Sequence, residues 1–192
     1  MPDHDDEEHP MTESTTTRNA TPTLDQERRD LLSSLAHARH FLRFTARDLT
    51  TEQASQRTTL SKLTIGGLIK HVTEVERGWA DFLVVGADYM EKDFTEWTEE
   101  DFAERDKDFQ LQPGETLEGA LRAYDEVAAR TDELVRTLPS LDVVHELPKA
   151  PWNIEDAWSV RRALLHIVAE TTQHAGHADI IRESLDGSKS MG

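Results

Sequence analysis

The stretch SVRRALLHIVAETTQHAGHADIIRESLDG, residues 159–187, decides the fold. Val160, Leu164, Ile167, Thr171, His174, Ala178, Ile181 and Leu185 follow one another at alternating steps of four and three. That is the spacing of a helix that lays one apolar seam against neighbouring helices. Ser159 can cap its start and Gly187 can end it. His174 stands inside the seam. At about 100° per residue, Glu170 and His166 lie successively further round one side and His177 falls between them. Three imidazoles and one carboxylate therefore share roughly a quarter of the circumference.

Three more segments have the same character. The first starts near Thr23 or Asp25 and runs to about Thr45, with Leu24, Leu31, Leu35, Ala38, Leu42 and Leu49 on its seam. His37 and His40 lie off that line beside Phe41 and Phe44, which suggest a second buried face from another segment or a second subunit. TTEQAS is a short helical turn capped by Thr50 or Thr51. Thr64 caps the next long helix, TIGGLIKHVTEVERGWADFLVVG, whose apolar arc contains Leu68, Val72, Val75, Trp79 and Phe82 with His71 at its edge. After Pro113-Gly114, ETLEGALRAYDEVAARTDELVRTL puts Leu117, Leu121, Tyr124, Ala128, Thr131, Val135 and Leu138 on one seam, and Pro139 ends it.

Between the second and third of these helices, residues 86–114 are acidic and aperiodic, interrupted by Phe94, Trp97, Phe102 and Phe109. Spaced aromatics favour docking onto the domain, with TEEDFAERD as a short helical piece. In SLDVVHELPKAPWNIEDAW, DVVHEL reads as a short extended piece with His145 exposed, and Trp152 and Trp158 as anchors. Four long amphipathic segments predict an all-α protein, a four-helix bundle with a long, partly helical acidic connection. The expected organisation is a disordered acidic tail over residues 1–23, the bundle over 24–187 and a C-terminal tail over 188–192. His4 and His9 bracket DDEE in the first tail and read as solvated.

Thirty-eight acids against 21 Lys plus Arg give a formal charge of −17, which disfavours general binding to nucleic acid or to an anionic membrane. The chain has no cysteine, so disulfides, thiolate metal sites and a cysteine nucleophile are excluded. No segment approaches the apolar length of a membrane span, and a cytoplasmic protein is expected.

Glu170 and His174, at i and i+4, project one turn apart from one helix face. Such a pair is often only an ion pair that supports the helix. His71, at a seam edge of another helix, is the natural third ligand for a divalent metal, with a further position open to water or substrate. His166 and His177 are rivals, either as ligands or as groups that orient a ligand. Arg161, Arg162 and Arg182 are candidates for holding an anionic substrate group.

HVTEVE from His71, with ETTQHAGHAD from Glu170, resembles the DinB-like metal-binding bundle proteins. HAGHADIIRESLDG and WSVRRALLHIVAET look closest to the branch of transferases that use mycothiol or another low-molecular-weight thiol. The resemblance covers about residues 24–187. It implies a His-Glu-His metal set, His71, Glu170 and His174, and places His177 in the second shell or substrate pocket. It also implies a divalent transition metal, zinc with nickel as the alternative, and as partners a low-molecular-weight thiol and an electrophilic small molecule. The expected function is a thiol S-transferase whose nucleophile is the substrate's own thiolate, with no catalytic protein nucleophile. A non-catalytic metal- or ligand-binding bundle and a metal hydrolase are the alternatives. The aromatic face of the first helix points to a homodimer.

Overall fold

The computed structural model describes residues 24–190. The acidic tail expected over residues 1–23, with His4 and His9, lies outside them.

The structure is mostly helical. α1 (Gln26–Thr45) is capped by Asp25, whose carboxylate accepts the Arg28 N–H at 2.8 Å. α2 (Thr51–Ala54) is a single turn closed by a reciprocal Thr50–Gln53 capping box. α3 (Ile65–Val85) starts at Thr64, whose hydroxyl accepts the Gly67 N–H, and stops at Gly86. The acidic connection follows, with 3-10 turns at Gly86–Tyr89, Phe94–Glu96 and Lys107–Phe109 around α4 (Glu99–Asp106). α5 (Leu117–Thr137) is capped by Thr116. β1 (Val144–Glu146) pairs antiparallel with β2 (Ala157–Ser159), His145 opposite Trp158. α6 (Val160–Asp186) starts at Ser159 and ends at Gly187, whose φ of 79° is the left-handed conformation that glycine adopts without steric cost.

α6 packs along α1 and α3, α5 packs on α3, and α1 also touches α5. The core between them is divided. Leu42, Leu68, Val72, Tyr124, Ala175, Ala178 and Ile181 belong to one apolar cluster. Leu35, Phe82, Val135, Leu164 and Ile167 belong to the other. Between them, in sequence position on every long helix, lie buried polar residues: Arg39, Glu76, Thr131 and Thr171. Arg39, 3 % exposed, bonds both oxygens of Glu76, 1 % exposed, and reaches Asp132 at 2.7 Å. Two charges out of water hold each other only because the guanidinium fork satisfies both partners.

Most seam residues are buried as the sequence predicts; among the half-buried ones, Val75 and Trp79 border a cavity. The aromatic side of α1 is partly covered by its own chain. Phe41 packs against the core, and the Arg47 guanidinium lies 3.8 Å from the Phe44 ring centre, while His37 and His40 are exposed. His145 corrects the sequence reading. It is half-buried, edge-on to Phe82 at 5.5 Å and against Gly86, because β1 is held down by its pairing with β2.

The acidic connection docks. The Gly66-Gly67 pair at the start of α3 makes room for it, since a β-carbon on Gly67 would stand 1.8 Å from the Phe109 carbonyl oxygen and one on Gly66 would stand 2.6 Å from Leu111. At the other end, the Lys149 N–H donates to the Asp93 carboxylate at 2.9 Å, and Lys92 bonds both oxygens of Asp101 at 2.6 Å. Among the described residues no helix is long and apolar enough to cross a membrane.

Candidate metal centre

His71 comes from the second turn of α3, and Glu170 and His174 come from one face of α6. Because α3 and α6 pack side by side, the three converge. One donor atom from each lies within 4.8 Å of the others. His174 Nε2 is 3.5 Å from Glu170 Oε2, and the His71 and His174 rings meet edge-on with centres 4.9 Å apart. Donors at about 2.0–2.1 Å from a tetrahedral zinc are about 3.4 Å from one another. The α6 pair already stands at that spacing, and rotations that move donor atoms by about an ångström close the set. Two imidazoles and a carboxylate are a donor set for a borderline transition metal.

The protonation states suit ligation. Burial pushes the His71 imidazole down to about 4, with the facing His174 adding to the effect, so His71 is neutral at physiological pH. The His174 imidazole beside it holds the Glu170 carboxyl below the ordinary range, so Glu170 is an anion. Metal ligands must be in these forms.

The two rival histidines sit on either side of the group. His177 Nδ1 approaches His174 Nδ1 at 3.4 Å, leaving His174 Nε2 on the Glu170 side. His166 Nε2 stands 3.6 Å from the other oxygen, Glu170 Oε1. Its ring stands edge-on against both Trp79 and Trp158, at 4.9 and 5.0 Å. Burial lowers the His166 pKa. His166 thus touches the carboxylate from the cavity side and His177 touches the imidazole from behind.

Over the group lies a cavity of about 680 Å³, lined by His71, Glu170 and His166 below and by the acidic connection above. Its size is ordinary for a small-molecule site. All four tryptophans of the chain line it: Trp79, Trp97, Trp152 and Trp158. Trp79 and Trp158 stack at 5.0 Å, and Phe94 packs on both Trp97 and Trp152. Phe109 stacks on His71 at 4.1 Å, nearly parallel. An aromatic face against one side of the imidazole fixes its plane and keeps water from it.

The arginines expected to hold an anion are engaged elsewhere. Arg161 pairs with Glu27 and Asp142, and Arg182 pairs with Asp186 and donates to the Thr45 and Arg47 carbonyls. Arg162 is exposed, lying over the Trp158 ring at 4.1 Å, and does not line the cavity described above. Arg105 of α4 lines the cavity instead, a residue that the aperiodic connection gave no reason to single out. Phe109 was legible only as one spaced aromatic among four.

Residues 30–187 match the family model described as Mycothiol-S-transferase. No curated protein and no solved structure matches the chain.

Proposed function

Because the chain belongs to the mycothiol S-transferase family, a DinB-like family, we propose that it is a metal-dependent transferase joining a mycothiol-like thiol to a small electrophile. The observation that carries this reading is the convergence of His71, Glu170 and His174 beneath an aromatic-walled cavity. The four long helices are then a DinB-like four-helix bundle, the three residues are the ligands of one divalent ion, with zinc first and nickel as the alternative, and the setting is cytoplasmic.

A divalent transition metal held there supplies Lewis-acid activation, lowering the pKa of a thiol so that thiolate is present at neutral pH. The residues of the chain do the rest. His71, neutral through burial, offers a lone pair without first losing a proton. Glu170 contributes a negative charge that partly offsets the ion, leaving an adjacent sulfur more nucleophilic than three neutral imidazoles would. His177 orients His174 through the nitrogen turned away from Glu170, and His166 orients Glu170 through its second oxygen. Phe109 and the tryptophan walls exclude water from the sulfur. The net reaction replaces the thiol S–H with an S–C bond; the proton leaves with the displaced group of an alkylating electrophile, or ends on the adduct of a conjugated one, whose double bond is consumed. The exposed side of α1, where His37 and His40 flank Phe41, is the face through which a homodimer would form.

The test is metal content and mycothiol conjugation measured together on the wild type and on His71→Ala, Glu170→Gln and His174→Ala. The expected result is one ion per chain and thiol-dependent conjugation, both lost in His174→Ala. Full metal occupancy in that variant refutes the ligand set. A fully loaded wild type that consumes no thiol with any of a panel of alkylating and conjugated electrophiles refutes the activity.

A further inference from the structure

The cavity above the metal centre is lined by six carboxylates and two basic side chains, Lys92 and Arg105. Lys92 is committed, bonding both oxygens of Asp101 at 2.6 Å. Among the described residues, no carboxylate comes within ion-pairing distance of Arg105. Its guanidinium instead rests near two aromatic faces, 5.9 Å from the Phe94 ring centre and 5.8 Å from that of Trp97. That posture holds the side chain over the cavity while leaving its donors free, and a guanidinium is well suited to bidentate capture of a carboxylate.

Arg105 faces into the cavity rather than out to solvent. Its charge reaches His71, Asp108 and Tyr89, which line the same cavity. Tyr89 is half-buried and stands against Gly78 of α3, where a β-carbon would meet its ring at 3.5 Å and its oxygen at 3.6 Å. Gly78 lies seven residues, or two turns, beyond His71 on the same helix face, about 10 Å along the axis. The cavity therefore holds, besides the His71–Glu170–His174 group, a guanidinium on the α4 wall over Phe94 and Trp97, and a phenolic hydroxyl against α3 two turns beyond His71.

The geometry points to Arg105 as the anchor for a carboxylate on the electrophilic substrate, held in the same cavity as the His71–Glu170–His174 group. This rests on the transferase reading, since it assigns the second substrate of the same cavity. The surrounding carboxylates sharpen the choice. They repel anions everywhere along the wall except at Arg105, so the pocket takes a single negative charge at one end of an otherwise apolar molecule. The aromatic walls of the cavity accept the apolar part.

The test needs no turnover. Every tryptophan of the chain lines this cavity, so intrinsic fluorescence reports on its occupancy alone. The probes are cyclohexanecarboxylate, its neutral amide and cyclohexylmethylammonium, which do not absorb where tryptophan is excited. They are titrated into full-length protein, metal-loaded and metal-free, so that a carboxylate bound to the ion is told apart from one bound to the arginine. In metal-free wild type the carboxylate should bind about tenfold or more tighter than the amide. Arg105→Gln should erase that preference and Arg105→Lys should keep part of it, while His174→Ala should leave it intact. Equal affinity for carboxylate and amide overturns the proposal, as does a preference for the ammonium probe or a carboxylate preference that survives Arg105→Gln. Because the binding is read without metal or thiol, its failure leaves the transferase assay to stand or fall separately. Conversely, a wild type that conjugates nothing does not alter the binding result.

Discussion

Replacing Gly67 by alanine puts the docking of the acidic connection under direct test. The added methyl would stand 1.8 Å from the Phe109 carbonyl oxygen, 2.2 Å from its carbonyl carbon and 2.8 Å from the Gln110 nitrogen. Ordinary contact begins near 3.4 Å, so the connection must retreat by about 1.6 Å. The opposing atoms are backbone, and no side-chain rotation relieves the clash. Overpacking of this kind costs about 1–3 kcal/mol, against a gain of about 1 kcal/mol from replacing a helical glycine with alanine. Gly176 on α6 is the control, because a β-carbon there meets nothing within 4 Å. Gly176→Ala should therefore raise stability by up to about 1 kcal/mol, or about 2–4 °C in Tm for a chain of this size. Gly67→Ala should lower Tm by several degrees, make residues 86–114 sensitive to limited proteolysis, and weaken metal binding, because Phe109 leaves its stack on His71. Differential scanning calorimetry and a proteolysis time course on both variants decide it. A Gly67→Ala protein that matches Gly176→Ala in both measurements refutes the argument.

The buried pair predicts that Glu76→Ala, which leaves the Arg39 guanidinium at 3 % exposure with Asp132 as its one remaining carboxylate, costs up to about 3 kcal/mol by urea titration, while a double change of Arg39 and Glu76 to apolar residues recovers most of it. Asp186, held down to about 2 by its bonds to Arg182 from a reference value of 3.8, binds a proton more readily unfolded than folded. Its contribution is therefore complete above about pH 4 and lost as pH falls towards 2, and Asp186→Asn should flatten that limb of a stability–pH curve. Removing metal with a chelator should lower Tm reversibly, by the equivalent of about 2.7 kcal/mol when free metal had stood at a hundred times its Kd.

The helices were legible in the sequence because their signals are local. Asp25, Thr64 and Ser159 cap where hydroxyl or carboxylate chains precede a 3-4 seam, and Gly187 stops α6 as a glycine in that place should. His71, Glu170 and His174 stood out because a polar group at a seam position needs a partner. The arginine and glutamate of the core did not stand out. Each is an ordinary charged residue on an amphipathic helix, and only the packing of α1 against α3 and α5 brings the pair together. Arg105 and Phe109 were hidden for a different reason. The connection has no period, so nothing in residues 86–114 says which side chains turn towards α3. That information resides in the docking surface, at Gly66 and Gly67, forty residues earlier in the chain.

The belt of Arg39, Glu76, Thr131 and Thr171 also governs how the molecule comes apart. Apolar contact gives a helical core its all-or-none character, and here that contact is interrupted midway along all four long helices. The halves are tied across the belt by backbone and by hydrogen bonds, which protonation or urea loosens sooner than packed methyl groups. Slow amide exchange should therefore divide into two populations with different protection, one for each end of the helices. His71 and His174 sit at the level of the first cluster, next to Val72 and Ala175. The cavity beside them is walled partly by Trp79, Tyr89 and Trp158, which pack on the second cluster, so a ligand held there bridges both halves.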